Sequence, residues 1–515
     1  MPDPRFTRRD FVRTLSLGAG AALFVPGFLP GCAPAGLRGV GAPGAGGDAW
    51  SRVPGILARI RPPVFPARDF PVTAHGGVGD GRTDNTEAFR RAIAACAAAG
   101  GGRVVVPAGR FLTGPIHLKS NVNLHVSEGA TIAFSQDPKD YLPVVHTRWE
   151  GVELMGYSPL IYAFEQENVA VTGKGTLDGQ ASTTVWWPWK GKWKQHPEWD
   201  RGPTQKAARD RLFEMAEQGV PVDRRVFAEG SYLRPQFIQP YRCRNVLVEG
   251  VTLVNAPMWQ INPVLCQNVT VRGVSVVSHG PNNDGCNPES CRDVLIEGCL
   301  FDTGDDCIAI KSGRNADGRR LNVPSENIVV RRCRMKDGHG GVTLGSEISG
   351  GVRNVFVEEC EMDSPNLDRA LRFKNNAMRG GVLENVYMRN VAIGQVKDAV
   401  VSVDLHYEEG QQGPFTPVVR NVELHNVTSQ KSKYVLYMRA YPGAEISDIL
   451  VADSRFQGVE RGNVTEGVED LRFVDTLING VPASATSHEA APKTDADLLP
   501  SDRRMPPAPA RPGAR

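Results

Sequence analysis

A short phrase recurs along the chain and sets the main limit on its fold. Its clear copies are CRNVLVEGVTL (243–253), CQNVTVRGVSV (266–276), CRDVLIEGCLF (291–301), SENIVVRRCRM (325–335) and VRNVFVEECEM (352–362). Weaker copies continue to residue 478, and earlier ones begin near Asn121 and Asn168. The Asn or Asp of successive copies from 245 to 470 is separated by 22 to 36 residues, so the phrase is constant while the gaps vary.

Within each copy, apolar residues alternate with polar ones, which is the period of a β-strand. Strands that return after at least 22 residues fit the coils of a parallel β-helix, in which insertions leave as loops. A β-propeller would need a constant period of about 40 residues. The 55 glycines and 38 prolines suit a fold with many turns. We therefore predict an all-β protein, a single-stranded parallel β-helix.

Cysteines occupy equivalent positions of successive copies. One position holds Cys243, Cys266 and Cys291, and another holds Cys299, Cys333 and Cys360. Equivalent positions become stacks inside a β-helix, so we expect buried thiols here rather than disulfides. Cys286 and Cys307 lie outside both sets, and their pairing stays open.

The segment 84–102 predicts a helix that caps the first coil, because the exposed edge of a solenoid has to be covered. Asp84 would be the N-cap, and Glu87 follows three residues later. An alanine-rich body and the glycines at 100–102 then give the helix its length and its end.

The two termini are typical of targeting and linker segments. Thr7–Arg13 is a twin-arginine pattern followed by an apolar run too short to span a membrane, so residues 1–32 predict a signal peptide for twin-arginine export. The motif LPGC at its end resembles a lipoprotein cleavage box and predicts lipidation of Cys32. Residues 33–62 predict a flexible linker and 482–515 a disordered tail. We expect a periplasmic or extracellular protein that lipid could anchor to a membrane.

Four polar stretches interrupt the apolar pattern at coil-like spacing. They are PNNDG (281–285), TGDDC (303–307), GHGG (338–341) and LRFKNN (371–376). Asp284 and Asp305 are 21 residues apart, and the steps from Asp306 to His339 and from His339 to Arg372 are 33 residues each. Each step is about one coil, so we expect these side chains on one face, about 5 Å apart along the axis.

Three clustered carboxylates, those of Asp284, Asp305 and Asp306, favour acid–base chemistry. Like charges held close raise at least one pKa, so one carboxyl can stay protonated while another stays ionised. Cleavage of a glycosidic bond requires such a pair. A Ca²⁺ site and ordinary turn chemistry are the alternatives.

His339 lies between glycines, where we expect it to tune or relay a proton for the carboxylates. Arg372 and Lys374 are two residues apart and point the same way on a strand. A cationic pair beside carboxylates favours an anionic substrate, although simple neutralisation of the aspartates is the alternative. The net charge of +2 provides no broad basic field for nucleic acid.

These four stretches resemble the signature of the polygalacturonases, glycoside hydrolase family 28. The family motifs Asn-Thr-Asp, Gly-Asp-Asp, Gly-His-Gly and Arg-Ile-Lys are matched here by Asn282-Asn283-Asp284, Gly304-Asp305-Asp306, Gly338-His339-Gly340 and Arg372-Phe373-Lys374. The resemblance covers about residues 67–480, including the opening FPVTAHGGVGDGRTDNTEAF. The departures, Asn283 for Thr and Phe373 for Ile, keep the reactive groups.

The resemblance implies a right-handed β-helix that hydrolyses α-1,4-galacturonosyl bonds with inversion and needs no metal or other cofactor. It also implies a galacturonan as the substrate, and we expect a monomer. In the roles that the resemblance implies, Asp305 is the general acid, and Asp284 and Asp306 activate the water. His339 assists protonation of the acid. Arg372 and Lys374 bind substrate carboxylates, and Asn282 supports the site.

An insertion at 183–235 bears on how the substrate is cut. It contains Trp186, Trp187, Trp189, Trp193 and Trp199, which could stack on sugars or could form a small core that pins a long loop. A large insertion beside a cleft can close one end, and GSEISGGVRNV (345–355) also resembles exo-acting bacterial members. We therefore expect exo action. The rival functions are β-elimination by a pectate lyase and non-catalytic polysaccharide binding.

Overall fold

The computed structural model describes residues 48–193 and 195–485. Parallel strands in this range wind into a β-helix with three faces, as the repeated phrase predicts. The predicted signal peptide with Cys32, the first part of the predicted linker and most of the predicted tail lie outside the described residues.

The first face carries the repeated phrase. Its strands are Asp69–Pro71, Gly102–Val106, Val122–Val126, Glu167–Gly173, Arg244–Glu249, Gln267–Arg272, Arg292–Glu297, Ser325–Arg331, Val352–Glu358, Val382–Gln395, Val418–Lys431, Glu445–Ala452 and Val468–Val474. Neighbouring strands pair in parallel and in register, so that Val246, Val269, Val294 and Val355 fall at the repeat position of the core. The strands Val382–Gln395 and Val418–Lys431 continue around the corner into the second face.

The second and third faces complete each coil. The second face contains Asp80–Asp84, Gly109–Thr113, Ala130–Phe134, Thr176–Asp178, Thr252–Val254, Ser275–Ser278, Leu300–Thr303, Arg334–Met335, Glu361–Met362, Arg455–Phe456 and Leu477–Ile478. The third face contains Ile116–His117, Ile161–Phe164, Ile238–Tyr241, Ile308–Ile310, Val342–Leu344, Arg369–Lys374, Ala399–Asp404, Tyr434–Arg439 and Val464–Glu466. Single bridges from Ile238 through Ile261 and Cys286 to Ile308 make the third face continuous.

The Asn or Asp of the phrase has a structural reason. In every copy from Asn121 to Asp470 this residue has a positive φ, between 50° and 64°. Asn and Asp tolerate this left-handed conformation better than other non-glycine residues. The side chains also bond from coil to coil, as where Asn245 Nδ2 donates to Asn168 Oδ1 at 2.8 Å and Asn268 Nδ2 donates to Asn245 Oδ1 at 2.7 Å. The Asn or Asp is therefore constant because its backbone forms the turn and its side chain bonds to the neighbouring coil.

The interior is filled by stacked valines, isoleucines and leucines together with the cysteines. All nine cysteines of the described residues are buried thiols, so the predicted thiol stacks are confirmed there. The backbone N–H of Cys243 donates to the Cys266 sulfur at 3.4 Å, which places the two residues on adjacent coils. Cys286 and Cys307 are also buried in the core.

The predicted capping helix is present as Thr86–Ala98, and it buries Phe89 and Ile93 against the first coils. The N-cap is Asn85 rather than Asp84. The Asp84 carboxylate still accepts from the Thr86 backbone N–H at 2.9 Å, so the acidic residue acts one position further from the helix than predicted.

The linker predicted for 33–62 is wrong for its second half. Ala49–Arg52 forms a 3₁₀ turn and Val53–Arg59 an α-helix, and both pack on the outside of the first face. Trp50 lies edge-on to Phe356 with ring centroids 5.4 Å apart. Apolar residues at 50, 53, 56 and 60 have helical spacing, a pattern that the surrounding glycines and prolines obscured.

The remaining elements decorate the coils. They are the antiparallel hairpin Val145–Trp149 and Val152–Gly156, the helices Lys206–Glu217 and Asn315–Leu321, the 3₁₀ turns Val72–His75, Pro138–Tyr141, Trp187–Lys190, Pro197–Arg201 and Val222–Arg224, and the short strand Val481–Pro482. That last strand pairs antiparallel with Leu477–Ile478, so the coil structure continues to the start of the predicted tail. Among the described residues, no helix is both long and apolar enough to cross a lipid bilayer.

Candidate active site

The structure brings the predicted site residues together on the outside of the third face. Asp284, Asp305 and His339 each lie a few residues before a strand or bridge of this face, on three successive coils. The backbone N–H of Gly285 donates to the Asp306 carbonyl at 3.0 Å, and that of His339 donates to the Asp305 carbonyl at 3.1 Å. Site residues that are about one coil apart in the sequence therefore stack directly on one another in the structure.

The three carboxylates form one cluster, in which an oxygen of each lies within 4.8 Å of the others. Asp306 is fully buried and its two oxygens are engaged by Thr343 Oγ1 at 2.9 Å and Lys374 Nζ at 2.7 Å, with Arg372 Nη1 at 3.3 Å. Burial alone raises the pKa of Asp306, but the charges of Lys374 and Arg372 outweigh it and hold the pKa below its usual value. Asp306 is therefore a fixed anion.

Asp305 is the most open carboxylate of the cluster, with 18% of its side chain exposed. His339 Nδ1 lies 3.0 Å from Asp305 Oδ1, and the Asp306 backbone N–H donates to the same oxygen at 2.9 Å. Burial raises the pKa of Asp305, but the charge and hydrogen bond of His339 outweigh this and hold the pKa well below its usual range. The contact with His339 thus favours the ionised form of Asp305.

Asp284 differs from the other two carboxylates. Asn287 Nδ2 donates to its Oδ2 at 2.7 Å, and the ammonium of Lys311 is 3.8 Å from the same oxygen. Burial and then the charge of Asp305 raise the pKa of Asp284 well above its usual value. Among the three carboxyls, Asp284 is therefore the one whose surroundings favour the protonated form, whereas those of Asp305 and Asp306 favour the ionised form.

Arg372 and Lys374 lie on the same side of one strand and point outward, while Leu371 and Phe373 enter the core. Both cations are nearly buried and face Asp306, and both lie over the ring of Tyr407, at 5.7 and 5.5 Å from its centroid. They neutralise the Asp306 carboxylate, which is the alternative that the sequence left open.

Asn282 lies beside the cluster rather than in it. Its backbone has a positive φ of 56°, and its side-chain oxygen accepts from Arg234 Nη2 at 2.7 Å. The guanidinium of Arg234 is fully buried and also donates to the carbonyls of Pro257 at 3.0 Å and Pro281 at 2.7 Å. Asn282 is thus held by the insertion and fixes the loop that leads to Asp284.

Gly340, in the histidine motif, is required by close approach. A Cβ at this position would lie 2.2 Å from Thr343 Oγ1 and 3.1 Å from Asp306 Oδ1. Any larger residue would displace the threonine that binds the buried carboxylate. The glycine therefore serves the carboxylate cluster as well as the exposure of the histidine.

Several site residues were missed from the sequence: Thr343, Tyr407, Lys311 and Glu347. Lys311 is buried, donates to Glu347 Oε2 at 2.9 Å and lies over the ring of Trp259 at 4.4 Å. Strand alternation could have found two of them, because Thr343 and Lys311 occupy outward positions next to core-facing Leu344 and Ile310. Tyr407 and Glu347 lie in loops, where no period indicates direction.

The tryptophans of the insertion are packing residues. Trp186, Trp187 and Trp199 are buried in the main core, and Trp189 and Trp193 pack against it. Trp187 Nε1 donates to the Ala256 carbonyl at 2.9 Å, and its ring lies where a Cβ on Gly280 would approach to 2.2 Å. The buried rings therefore form a core that pins the long loop, which is one of the two roles expected from the sequence. They fix the insertion against the coils next to Asp284.

Two groups in the described residues have the spacing of cation ligands: the carboxylate cluster, and His279 with Asp302 and Asp337. In the carboxylate cluster Lys374, Arg372 and Lys311 already oppose the negative charge. A divalent cation there would meet three fixed positive charges, which disfavours the Ca²⁺ interpretation of these aspartates.

Paired carboxylates, an imidazole and buried cations on a β-helix face define a hydrolytic class of polysaccharide-active enzyme. The sequence model of "Glycosyl hydrolases family 28" matches residues 228–470. A hyperthermoactive exopolygalacturonase from Thermotoga maritima has a similar structure, with a TM-score of 0.80 and 46% identity, covering 86% of this chain and 98% of that one. An exo-poly-alpha-D-galacturonosidase from Dickeya chrysanthemi is 26% identical over 447 residues, 78% of this chain and 72% of that protein. A probable polygalacturonase from Vitis vinifera is 26% identical over 443 residues, 83% and 82% of the respective chains.

The chain belongs to family 28 of the glycoside hydrolases.

Proposed function

We propose that the protein is an exo-acting polygalacturonase, which hydrolyses α-1,4-galacturonosyl bonds with inversion. The observation that carries the proposal is the convergence of three carboxylates, His339 and a cationic pair on one outward face. The similarity of this chain to the Thermotoga maritima exopolygalacturonase extends over nearly the whole of that enzyme. An acidic polysaccharide suits a site whose cations are nearly buried and fixed.

Asp305 acts as the general acid. It is the carboxylate with an open side, and the His339 contact at 3.0 Å provides a route by which it is protonated when substrate excludes water. Asp284 and Asp306 position the attacking water, and Asp284 in its ionised form takes the water's proton, a role that its raised pKa favours. Both oxygens of Asp306 are occupied by Thr343 and the cations, which suits a water-orienting role better than attack on the sugar. Inversion follows from attack by water rather than by a carboxylate.

Exo action is supported by the insertion and by the exo-acting relatives. Trp187 and Arg234 fix the insertion against the coils of Asp284, so additional protein stands at one side of the carboxylate cluster. A cleft closed at one side accepts a chain end rather than the middle of a polymer. We expect release of short products from the start of the reaction and a slow fall in polygalacturonate viscosity.

The test is hydrolysis of polygalacturonate with EDTA present. New reducing ends without ultraviolet absorbance from an unsaturated product indicate hydrolysis without a divalent cation, whereas absorbance that EDTA abolishes indicates a lyase. The anomer formed first, followed by NMR, tests inversion. A protein that binds polygalacturonate and releases no ends under any condition refutes the proposed activity.

Asp305→Asn tests the assignment of the acid. General acid–base catalysis contributes about 100- to 10,000-fold, so the variant should lose at least about 100-fold in kcat while remaining folded. Asp302→Asn is a matched control, because Asp302 also pairs with a histidine, His279, at 3.0 Å, but outside the carboxylate cluster. A near-normal rate for Asp305→Asn, or an equal loss in both variants, contradicts the assignment.

Export by the twin-arginine route, with lipidation of Cys32, is part of the proposal. The pattern at Thr7–Arg13 supports it, and buried thiols rather than disulfides suit a protein that folds before export. Replacement of Arg8 and Arg9 by lysine should retain the protein in the cytoplasm. Cys32→Ala should move it from the membrane fraction to the soluble fraction, and unchanged fractionation would refute the anchor.

A further inference from the structure

Lys190 is the last residue of the 3₁₀ turn Trp187–Lys190 in the insertion. The turn is fixed at both ends, because Trp187 Nε1 donates to the Ala256 carbonyl at 2.9 Å and the Trp189 carbonyl accepts from the Gln205 N–H at 2.7 Å. The Gln205 side chain in turn accepts from Arg234 Nε at 3.2 Å. The position of Lys190 is therefore set by the same contacts that hold the loop of Asn282.

The ammonium of Lys190 has no hydrogen bond or ion pair within residues 48–193 and 195–485. The two neighbouring arginines, Arg209 and Arg234, already have hydrogen-bond partners. Arg209 Nε donates to Glu150 Oε2 at 2.7 Å, and Arg234 donates to Gln205, to Asn282 and to two carbonyl oxygens. A half-buried cation that lacks a counter-ion beside two satisfied guanidiniums forms a site for an anion.

The charges around Lys190 connect it to the carboxylate cluster. Burial lowers the pKa of Lys190, the charges of Arg234 and Arg209 lower it further, and those of Glu150 and Asp305 act in the opposite direction. The charge of Asp305 therefore acts on Lys190, while the hydrogen-bond partner of the Asp305 carboxylate is His339. An anion that binds Lys190 would therefore come from outside the described residues.

We propose that Lys190 binds the carboxylate of the galacturonate unit at the chain end, and that it is a specificity residue for exo action. The inference rests on the proposed function, because it assigns a subsite for that substrate. A substrate carboxylate supplies the missing counter-ion and displaces no internal partner. By contrast, Arg372 and Lys374 must share Asp306 with any second anion.

The first experiment compares Lys190→Gln, Lys190→Arg and Lys192→Gln on trigalacturonate. Lys192 is an exposed lysine two residues away in the same insertion and is the matched control. Loss of a charge-assisted hydrogen bond should raise KM by about 10- to 100-fold in Lys190→Gln with kcat little changed. Lys190→Arg should recover most of this loss, and Lys192→Gln should match the wild type.

Stability separates substrate binding from a structural role. Since Lys190 has no hydrogen-bond or ion-pair partner in the part of the chain that the structure describes, Lys190→Gln should leave the melting temperature unchanged or slightly raised. A lowered melting temperature together with a lowered kcat, or a KM equal to that of Lys192→Gln, overturns the inference while leaving hydrolysis by the wild type intact. Absence of hydrolysis by the wild type overturns both the inference and the proposed function.

The second experiment identifies the carboxylate. Three trigalacturonates, each with one carboxyl methyl-esterified, are compared in the wild type and in Lys190→Gln. If Lys190 binds the terminal carboxylate, esterification of that unit raises KM in the wild type and has little further effect in the variant, because the interaction is already lost. Equal effects of every ester in both proteins refute the contact.

Discussion

The ion pair between Lys374 and Asp306 provides a quantitative test of the site. Asp306 is fully buried, and Lys374 Nζ lies 2.7 Å from its Oδ2. Lys374→Met keeps the length and apolar character of the side chain but removes the charge. Arg372 at 3.3 Å and Thr343 at 2.9 Å remain as partners of Oδ1, so Oδ2 alone loses its donor.

Removal of one partner from a buried ion pair typically costs about 3–5 kcal/mol, because the remaining charge is left without compensation. Since Arg372 still neutralises Asp306, we expect a value near the lower end, about 3 kcal/mol in the free energy of unfolding. Asp306→Asn removes the charge that needs compensation. In that background Lys374→Met should cost about 1 kcal/mol, a coupling of about 2 kcal/mol between the two sites.

Urea denaturation of the wild type, both single variants and the double variant, followed by circular dichroism, measures this coupling. Equal m-values are required for the comparison, because they show that the same surface is exposed in each case. Asp302→Asn is again a suitable control for the loss of a nearby carboxylate. A coupling below about 0.5 kcal/mol would refute neutralisation and leave substrate binding as the role of Lys374.

Three further predictions concern single side chains. Asp284→Asn should stabilise the protein more as pH rises. A carboxyl whose pKa is raised by folding stabilises the wild type below its unfolded pKa of about 3.9, and this stability is lost as pH rises through the folded pKa, whereas asparagine does not titrate. Melting temperatures from pH 4 to 8 check this. Arg234→Lys should lower kcat by about tenfold or more by releasing Asn282, which steady-state kinetics measure. Trp50→Ala should destabilise the protein by about 3 kcal/mol in urea, because it removes the contact with Phe356; an unchanged midpoint would contradict docking of the N-terminal helix.

The coils could be predicted because one phrase combines several physical requirements. The Asn or Asp tolerates the left-handed turn, its amide bonds to the next coil, and the alternating apolar residues that follow fill the interior. Each requirement is local, so each leaves a mark in the sequence. The variable gaps between copies were also informative, because a solenoid lets loops of different length leave the coils while the strands stay constant.

The elements outside the coils were less predictable. The docked segment Ala49–Arg59 is short and lies in a region rich in glycine and proline, and the surface it covers is itself a product of the coils. The hairpin Val145–Gly156 is held by contacts with segments distant in the sequence, such as the 2.8 Å bond from the Glu153 N–H to Asp317 in the helix Asn315–Leu321. Structures that depend on tertiary partners carry little signal in local periodicity.

The location of the site was predictable, but the state of its charges was not. Coil spacing placed His339 above Asp305, and strand alternation placed Arg372 and Lys374 on one side. Which carboxylate holds the proton depends on burial and on contacts from other coils. Asp284 lacks the close cationic partners of Asp306, and this difference cannot be predicted from the residues of the motifs.

The balance of charge in the site bears on how an anionic substrate is accepted. Asp306 is held by two cations, Asp305 by His339, and Lys311 is engaged mainly by Glu347. A galacturonate carboxylate placed on Arg372 and Lys374 would share these two cations with Asp306. Lys190 has no such competitor among the described residues. The insertion therefore adds, for the chain end, a cation that the carboxylate cluster does not already engage, while the coils supply the reacting groups.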